Sequence, residues 1–186
     1  MSQENYFDLP TLETDRLLLR KLTMEDLEDI FAYGSDEEVS KYVTWDTHRT
    51  IADSKSFLDF AFSRYHDRKV APWGIVYKKN QRLIGTIDYV WWKPVHHTAE
   101  IGYVLSRDYW GKGLMPEAAK EIIKYGFKEM DLVRIQAKCF VENGPSSRVM
   151  AKIGMSYEGT IRKEMFVKGK HQDLKLYSII KEDYFN

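Results

Sequence analysis

Apolar and polar residues along this chain follow first a helical period and then a period of two. Residues 16–22, RLLLRKL, are an apolar run edged by charge and predict a first strand. Behind them Thr23 and Asp26 stand three apart, a carboxylate version of a capping box, and Met24, Leu27, Ile30 and Phe31 recur at helical spacing. A helix should therefore begin there and stop near Gly34. A short helical piece over 36–43 and a longer helix from Thr50, with Phe57, Leu58, Ala61, Phe62 and Tyr65 on one stripe, make the first 70 residues mostly helical. After Pro72 the pattern turns to β. Strands are predicted over 73–78 and 83–92, joined by the polar turn KNQR, and over 98–105. SRDYWGKGL is a glycine-bearing loop, and Pro116, Ala118, Ala119, Ile122, Ile123 and Phe127 mark a helix directly behind it. A strand over 134–141, a loop and short helix over 142–154 stopped by Gly154, and strands over 157–168 and 174–180 joined through VKGKHQD complete the chain. About seven strands and four helices, with helices at two crossovers and hairpins elsewhere, fit one α/β domain over 1–186, its core at about 11–184, built on a mixed sheet.

Composition narrows the class. The 186 residues are 44% hydrophobic and 30% charged with 11 Gly and 5 Pro, enough for a sizeable core and unlike a disordered or collagen-like chain. The lone cysteine, Cys139, cannot close an internal disulfide, and MSQENYFDLP lacks the basic start and apolar core of a signal peptide, so a reducing, cytoplasmic setting is expected. No apolar run approaches the ~20 residues of a membrane span, so no membrane partner is expected. The formal net charge is zero, yet residues 1–70 carry 15 acids and 9 bases while residues 71–186 carry 13 and 19. The second part suits an anionic ligand and the first a cationic one, although solvated faces without a partner would leave the same count. No Lys/Arg block interleaved with aromatics points to nucleic acid. His96 and His97 are adjacent, with no carboxylate or Cys at ligand spacing, so no metal is expected, and Cys139 reads as a small core residue. Exposed aromatics near Tyr6, Phe7, Tyr184 and Phe185 would suit a homodimer.

The candidate chemistry gathers in residues 100–117, EIGYVLSRDYWGKGLMPE. A strand feeds a loop whose glycines, Gly111 and Gly113, let the backbone curl, and a helix starts at once, aiming several N–H groups at one point. That arrangement is an anion site or a tight turn. The third glycine of a dinucleotide fingerprint and the Gly-Lys-Ser/Thr of a P-loop are both missing.

In this frame the sequence resembles the GNAT superfamily of acetyl-CoA-dependent N-acetyltransferases, whose phosphate motif is Q/R-x-x-G-x-G/A. Here it reads Asp108-Tyr-Trp-Gly111-Lys-Gly113, with Asp108 in the Gln/Arg position. LETDRLLLRKLTMEDLEDIF (12–31), LIGTIDY (83–89), AEIGYVLSRDYWGKGLMPEA (99–118) and NGPSSRVMAKIGMSYEG (143–159) are similar, in order and spacing, to the branch that acetylates N-terminal residues of ribosomal proteins. The resemblance implies a mostly antiparallel seven-stranded sheet, splayed between the fourth strand (98–105) and the fifth (134–141). It implies that backbone groups of Tyr103, Val104 and Leu105 pair with the pantetheine of acetyl-CoA, and that the amides of Trp110, Gly111, Lys112, Gly113, Leu114 and Met115 hold its pyrophosphate. Asn143 would also contact the cofactor. Val104 N–H would face the oxyanion. The acceptor would be a primary amine: a protein N-terminus, or a small cationic amine such as a polyamine or aminoglycoside; the alternative is a non-catalytic CoA-binding module that keeps the phosphate loop without turnover.

Glu100 is the candidate general base, because an ammonium has no lone pair until a carboxylate takes its proton, directly or through water; a structural carboxylate is the alternative. Met150 occupies the place where many superfamily members keep a tyrosine acid. Ser146, in Asn143-Gly-Pro-Ser146, matches the serine assigned that role in the ribosomal-protein branch. It is equally placed to cap the helix after Pro145, and Ser147 is the adjacent choice. Trp45, Asp88 and Trp91 are candidate acceptor-side residues, Asp46 and Glu164 could attract a cation, and Asp173 matches a structural aspartate.

Overall fold

The computed structural model describes residues 7–185. Its strands are β1 (Leu12–Glu13), β2 (Leu17–Lys21), β3 (Trp73–Tyr77), β4 (Arg82–Lys93), β5 (Thr98–Leu105), β6 (Arg134–Phe140), β7 (Ser156–Val167) and β8 (Lys170–Ile180). Its helices are α1 (Leu27–Gly34), α2 (Glu37–Ser40), α3 (Ile51–His66), α4 (Leu114–Lys128), α5 (Gly144–Lys152) and α6 (Lys181–Phe185). The strands form one sheet in the order β1-β2-β3-β4-β5-β6-β8-β7, antiparallel throughout except where β5 meets β6.

The eighth strand is β1, two residues paired antiparallel with β2 and too short to announce itself by periodicity. The short helical piece expected over 36–43 is α2, and the helix not expected is α6, which follows β8 directly. The expected capping box forms at Thr23 with Asp26, and the structure adds a second one, not expected, at Thr50 with Asp53. The first starts a single 3₁₀ turn that leads into α1. The connection through VKGKHQD is tighter than expected: β8 already begins at Lys170, and Gly169, at φ 78°, makes the turn. Asp173 accepts a hydrogen bond from Lys163 N (2.8 Å) at the β7 bulge, a structural role.

Each face of the sheet is covered by a different set of helices. On one face α4 lays down Leu114, Met115, Ala118, Ala119, Ile122, Ile123 and Phe127, and α5 adds Met150, against Leu17, Trp73, Ile87, Ala99, Ile101 and Ala137. On the other, α1 to α3 bring Ile30, Tyr33, Val39, Leu58 and Ala61 against Val76, Leu83 and Val104. Cys139 is buried, as its strand suggested. Of the aromatics expected at a dimer surface, Tyr6 lies outside the described residues. Phe7 is buried and stacks edge-on against Trp73 (5.8 Å), and Tyr184 packs on Phe127 (5.2 Å), so Phe185 alone of the described three is exposed. Each of the other two saves more apolar area by closing the core than by facing water.

Candidate functional site

The site begins where β5 and β6 part. Their parallel pairing covers only Thr98↔Arg134, Ala99↔Ile135 and Glu100↔Gln136, after which each strand continues with no partner on that side. The expected splay between 98–105 and 134–141 is therefore present. A cavity of about 460 Å³ fills it, lined by 101–105 on one side, Lys138 and Cys139 on the other, α5 at one end and residues 38–43 across the top. Three contacts hold that top in place. Arg107 pairs with Asp36 (2.9 Å), Tyr42 lies edge-on to Phe140 (6.5 Å), and Lys168 in the β7–β8 turn donates to the Ser40 carbonyl.

The glycine loop closes the far end. Gly111 and Gly113 both have positive φ (73° and 72°), and Gly113 leads directly into α4, which starts at Leu114, two residues before Pro116. A Cβ on Gly111 would meet nothing within 4 Å, so the space in front of the loop is open. Unpaired N–H groups of a helix start and of a left-handed turn converge on that space, which is the geometry that holds phosphate oxygens. Arg16 fixes the loop from behind: it donates to Lys112 O (2.9 Å) and pairs with Glu117 (2.7 Å), which also accepts from Thr14 (2.6 Å). Lys112 itself turns away, donating to Asp108 O (2.8 Å). Of the residues expected at the cofactor, Tyr103, Val104, Leu105, Trp110, Gly111, Gly113, Leu114, Met115 and Asn143 line the cavity.

Strand register decides which backbone groups face it. Ser106 N donates to Ile84 O (2.7 Å), and with Thr86 opposite Val104 this makes Val104 one of the residues whose N–H and C=O both turn to β4. The expected oxyanion donor is thus directed into the sheet. The neighbouring amides, those of Tyr103 and Leu105, face the fork.

Glu100 is the last residue of β5 paired with β6 and is 9% exposed. It accepts a hydrogen bond from Gln136 (2.7 Å) and pairs with Lys138 (3.5 Å), which in turn pairs with Glu164 (3.0 Å). Burial works against the Lys138 charge, and the two carboxylates outweigh it, holding its pKa above the ordinary lysine value. Glu100 therefore sits at the apex of the fork with Lys138 between it and the cavity.

Ser146 does not cap α5. The cap is Asn143, whose side chain accepts from Ser146 N (3.1 Å). Asn wins because Pro145 sits within the first turn, leaving the Ser146 amide as the first free donor within reach of the Asn carbonyl. The Ser146 hydroxyl is left facing the cavity, 2.9 Å from the Tyr103 hydroxyl. Ser147 lies 3.4 Å from Cys139 Sγ, whose thiol pKa is pushed up by burial. Met150 is buried in the core.

The three acceptor-side candidates sit on the α1–α3 side. Asp88 is opposite Gly102, and a Cβ on that glycine would come within 3.5 Å of the Asp88 carboxylate. Burial pushes Asp88 up to about 7, with Arg64 opposing. Trp91 is opposite Glu100, with Lys93 over its ring (4.7 Å). Trp45 packs beside His48 (5.1 Å) in the connection from α2 to α3. Among the described residues there is no cluster of three or more His, Cys, Asp or Glu that could hold a metal, and no helix is long and apolar enough to cross a membrane.

Lys138, Arg16 and residues 38–43 had not been singled out from the sequence. For Lys138 a signal existed: Arg134, Gln136 and Lys138 alternate with Ile135, Ala137 and Cys139, a polar row on one face of an interior strand. Arg16 and α2 had none, because only folding brings them near the loop and the fork.

Residues 16–156 match the family described as Acetyltransferase (GNAT) domain. The uncharacterized N-acetyltransferase YoaA of Bacillus subtilis (strain 168) is 36% identical over 172 residues, spanning 92% of this chain and 97% of that one. The ribosomal-protein-serine acetyltransferase of Escherichia coli (strain K12) is 31% identical over 115 residues, 62% of this chain and 64% of its own. Among solved structures, the GNAT-family acetyltransferase of Bacillus anthracis has a TM-score of 0.83 at 36% identity, covering 93% of this chain and 99% of that chain.

Proposed function

The chain belongs to the GNAT acetyltransferase family and is an acetyl-CoA-dependent N-acetyltransferase, and we propose that it moves the acetyl group directly to a primary amine, the α-amine of a protein N-terminus. The carrying observation is the single cavity that joins the glycine loop before α4 to the fork where β5 leaves β6 at Glu100. In this reading the amides of Gly111 through Met115 hold the pyrophosphate; the Trp110 amide, also expected there, instead donates to Arg107 O (3.1 Å), closing the turn before the loop. Tyr103 and Leu105 offer strand-like backbone groups to the pantetheine, and one of their amides serves the oxyanion. Acetyl-CoA supplies the activated carbonyl; the chain's part is to hold it, orient an amine and take a proton.

Glu100 takes that proton. Gln136 and Lys138 fix its carboxylate at the edge of the fork, and the amine reaches it directly or through one water. The likeness to the ribosomal-protein-serine acetyltransferase supports this acceptor class. A second reading, a small cationic amine, is favoured by one observation: Asp88, half-buried beside Gly102, is a carboxylate that a second ammonium would relieve. One catalytic domain over 1–186, acting in the cytoplasm without a metal, goes with either reading.

The test has two arms. Acetyl-CoA at about 100 times its dissociation constant stabilises by about 2.7 kcal/mol and should raise the unfolding midpoint by several degrees, while ATP should not. Glu100→Gln should keep that shift and lose about 100-fold or more in thiol release with a Ser-initiated peptide. Absence of a shift at millimolar acetyl-CoA refutes the cofactor assignment, and an unimpaired Gln variant refutes the base.

A further inference from the structure

The hydroxyls of Tyr103 and Ser146 meet inside the cavity, and neither is required by the local secondary structure. Tyr103 sits on β5 beyond the last residue that pairs with β6, with its ring against the α4–α5 side of the core. Its hydroxyl lies 2.9 Å from Ser146 Oγ and 3.3 Å from the Ser146 carbonyl oxygen. Ser146 belongs to the first turn of α5, but the capping is done by Asn143, so its hydroxyl serves no helix terminus. Both residues line the cavity, and Cys139, across the fork on β6, has its thiol near Ser147 (3.4 Å) and within reach of the Ser146 hydroxyl as well.

A phenol has one proton, and two acceptors compete for it: the Ser146 hydroxyl at 2.9 Å and the Ser146 carbonyl at 3.3 Å. An O–H···O bond peaks near 2.7–2.8 Å and fades beyond about 3.0 Å, so the 2.9 Å contact is the bond and the carbonyl is at most a weak second acceptor. Burial holds the Tyr103 pKa above its ordinary value, so the hydroxyl stays protonated at neutral pH and remains a donor. When Tyr103 donates, Ser146 Oγ becomes the acceptor and its own hydrogen turns into the cavity. A free serine hydroxyl rotates among three staggered positions; a bonded one is restricted.

We propose, resting on the acetyl-transfer reading above, that Tyr103 is a positioning residue that aims the Ser146 hydroxyl at the sulfur of CoA, the two side chains acting as one donor unit. In the transfer, the bond from the amine nitrogen to the carbonyl carbon forms and the carbon–sulfur bond breaks. The electron pair leaves on sulfur, and the amine proton goes to the base. The Ser146 hydroxyl donates a hydrogen bond to the sulfur as its charge develops and keeps its own proton, so CoA departs as a thiolate. The same donor stabilises the thiolate of free CoA in the site.

That last consequence gives a test that needs no acceptor. The thiol of CoA bound to the protein is titrated by the ultraviolet absorbance of its thiolate, with the CoA-free protein subtracted to remove Cys139. In the wild type the bound thiol should be about tenfold more acidic than in free CoA, the effect of one charge-assisted hydrogen bond. Tyr103→Phe and Ser146→Ala should each remove most of that gain, the double variant should remove no more than the worse single one, and Ser146→Thr should retain it. Thiol release from acetyl-CoA with a Ser-initiated peptide or spermidine should show the same non-additive pattern in kcat at unchanged KM for acetyl-CoA. Wild-type acidity in Tyr103→Phe, or losses that add in the double variant, overturn the proposal. A CoA-induced thermal shift kept in every variant shows that the binding reading stands in either case, whereas no shift in the wild type refutes that reading first.

Discussion

Asp88 stores a measurable cost. Its carboxyl lies half-buried on β4 opposite Gly102, and burial raises its pKa from 3.8 to about 7 with only Arg64 opposing. A carboxyl that is harder to ionise in the folded state binds more protons there than in the unfolded chain between those two values. Stability therefore falls as pH rises through that window, with the penalty absent below the lower value and complete above the upper one. For a fully sequestered group, the part of the penalty that accrues between pH 5 and pH 8 is about 3 kcal/mol at 1.36 kcal/mol per pH unit. Asp88 retains some solvent contact, and about half of that, ~1.5 kcal/mol, is the expected value. Asp88→Asn removes the charge and keeps the shape. Urea unfolding of both proteins at the two pH values should show the variant's stability relative to wild type rising by about 1.5 kcal/mol toward pH 8. Any constant offset from the amide, and every titration the two proteins share, cancels in that difference. A gap that stays the same at both pH values would refute the claim that the Asp88 carboxylate is desolvated in the fold, and with it the argument that a cationic acceptor gains by meeting it.

Two further substitutions probe how the site is held. Arg16→Ala removes the donor to Lys112 O and the partner of Glu117, so the glycine loop should loosen; KM for acetyl-CoA should rise severalfold while kcat changes less, and an unchanged KM would show that the loop stands without that brace. Gly85→Ala would put a Cβ 2.2 Å from Val104 O, forcing β4 and β5 apart next to the fork; a loss of about 3 kcal/mol or more in urea unfolding is expected, and a loss under about 1 kcal/mol would show that the strands separate freely there.

Much of the fold and part of the site were legible in the sequence because they rest on local rules. The capping box at Thr23, the two-residue period of β3 to β5, and the apolar stripe of α4 each specify an element from neighbouring residues alone. The glycine loop was readable for the same reason: a left-handed turn followed at once by a helix start is local geometry, and Gly111 and Gly113 sit where it requires them. What the sequence could not decide depends on register and on distant partners. Whether the amide of Val104 or those of Tyr103 and Leu105 face the fork turns on the parity of the β4–β5 pairing, and a one-residue slip would exchange them. Ser146 read as a cap of α5 and Asn143 as a cofactor contact; only the path of α5 made Asn143 the cap and sent the Ser146 hydroxyl to Tyr103, 43 residues away. The environment of Glu100 is likewise tertiary. Gln136 and Lys138 reach it from β6, Glu164 of β7 pairs with that lysine, and a parallel pairing that stops after three residues leaves it at the apex of the fork, behind Lys138. Local preference chose the elements; long-range pairing decided which of their polar groups meet, because hydrogen bonds and charges act over a few ångströms that only the folded sheet brings together.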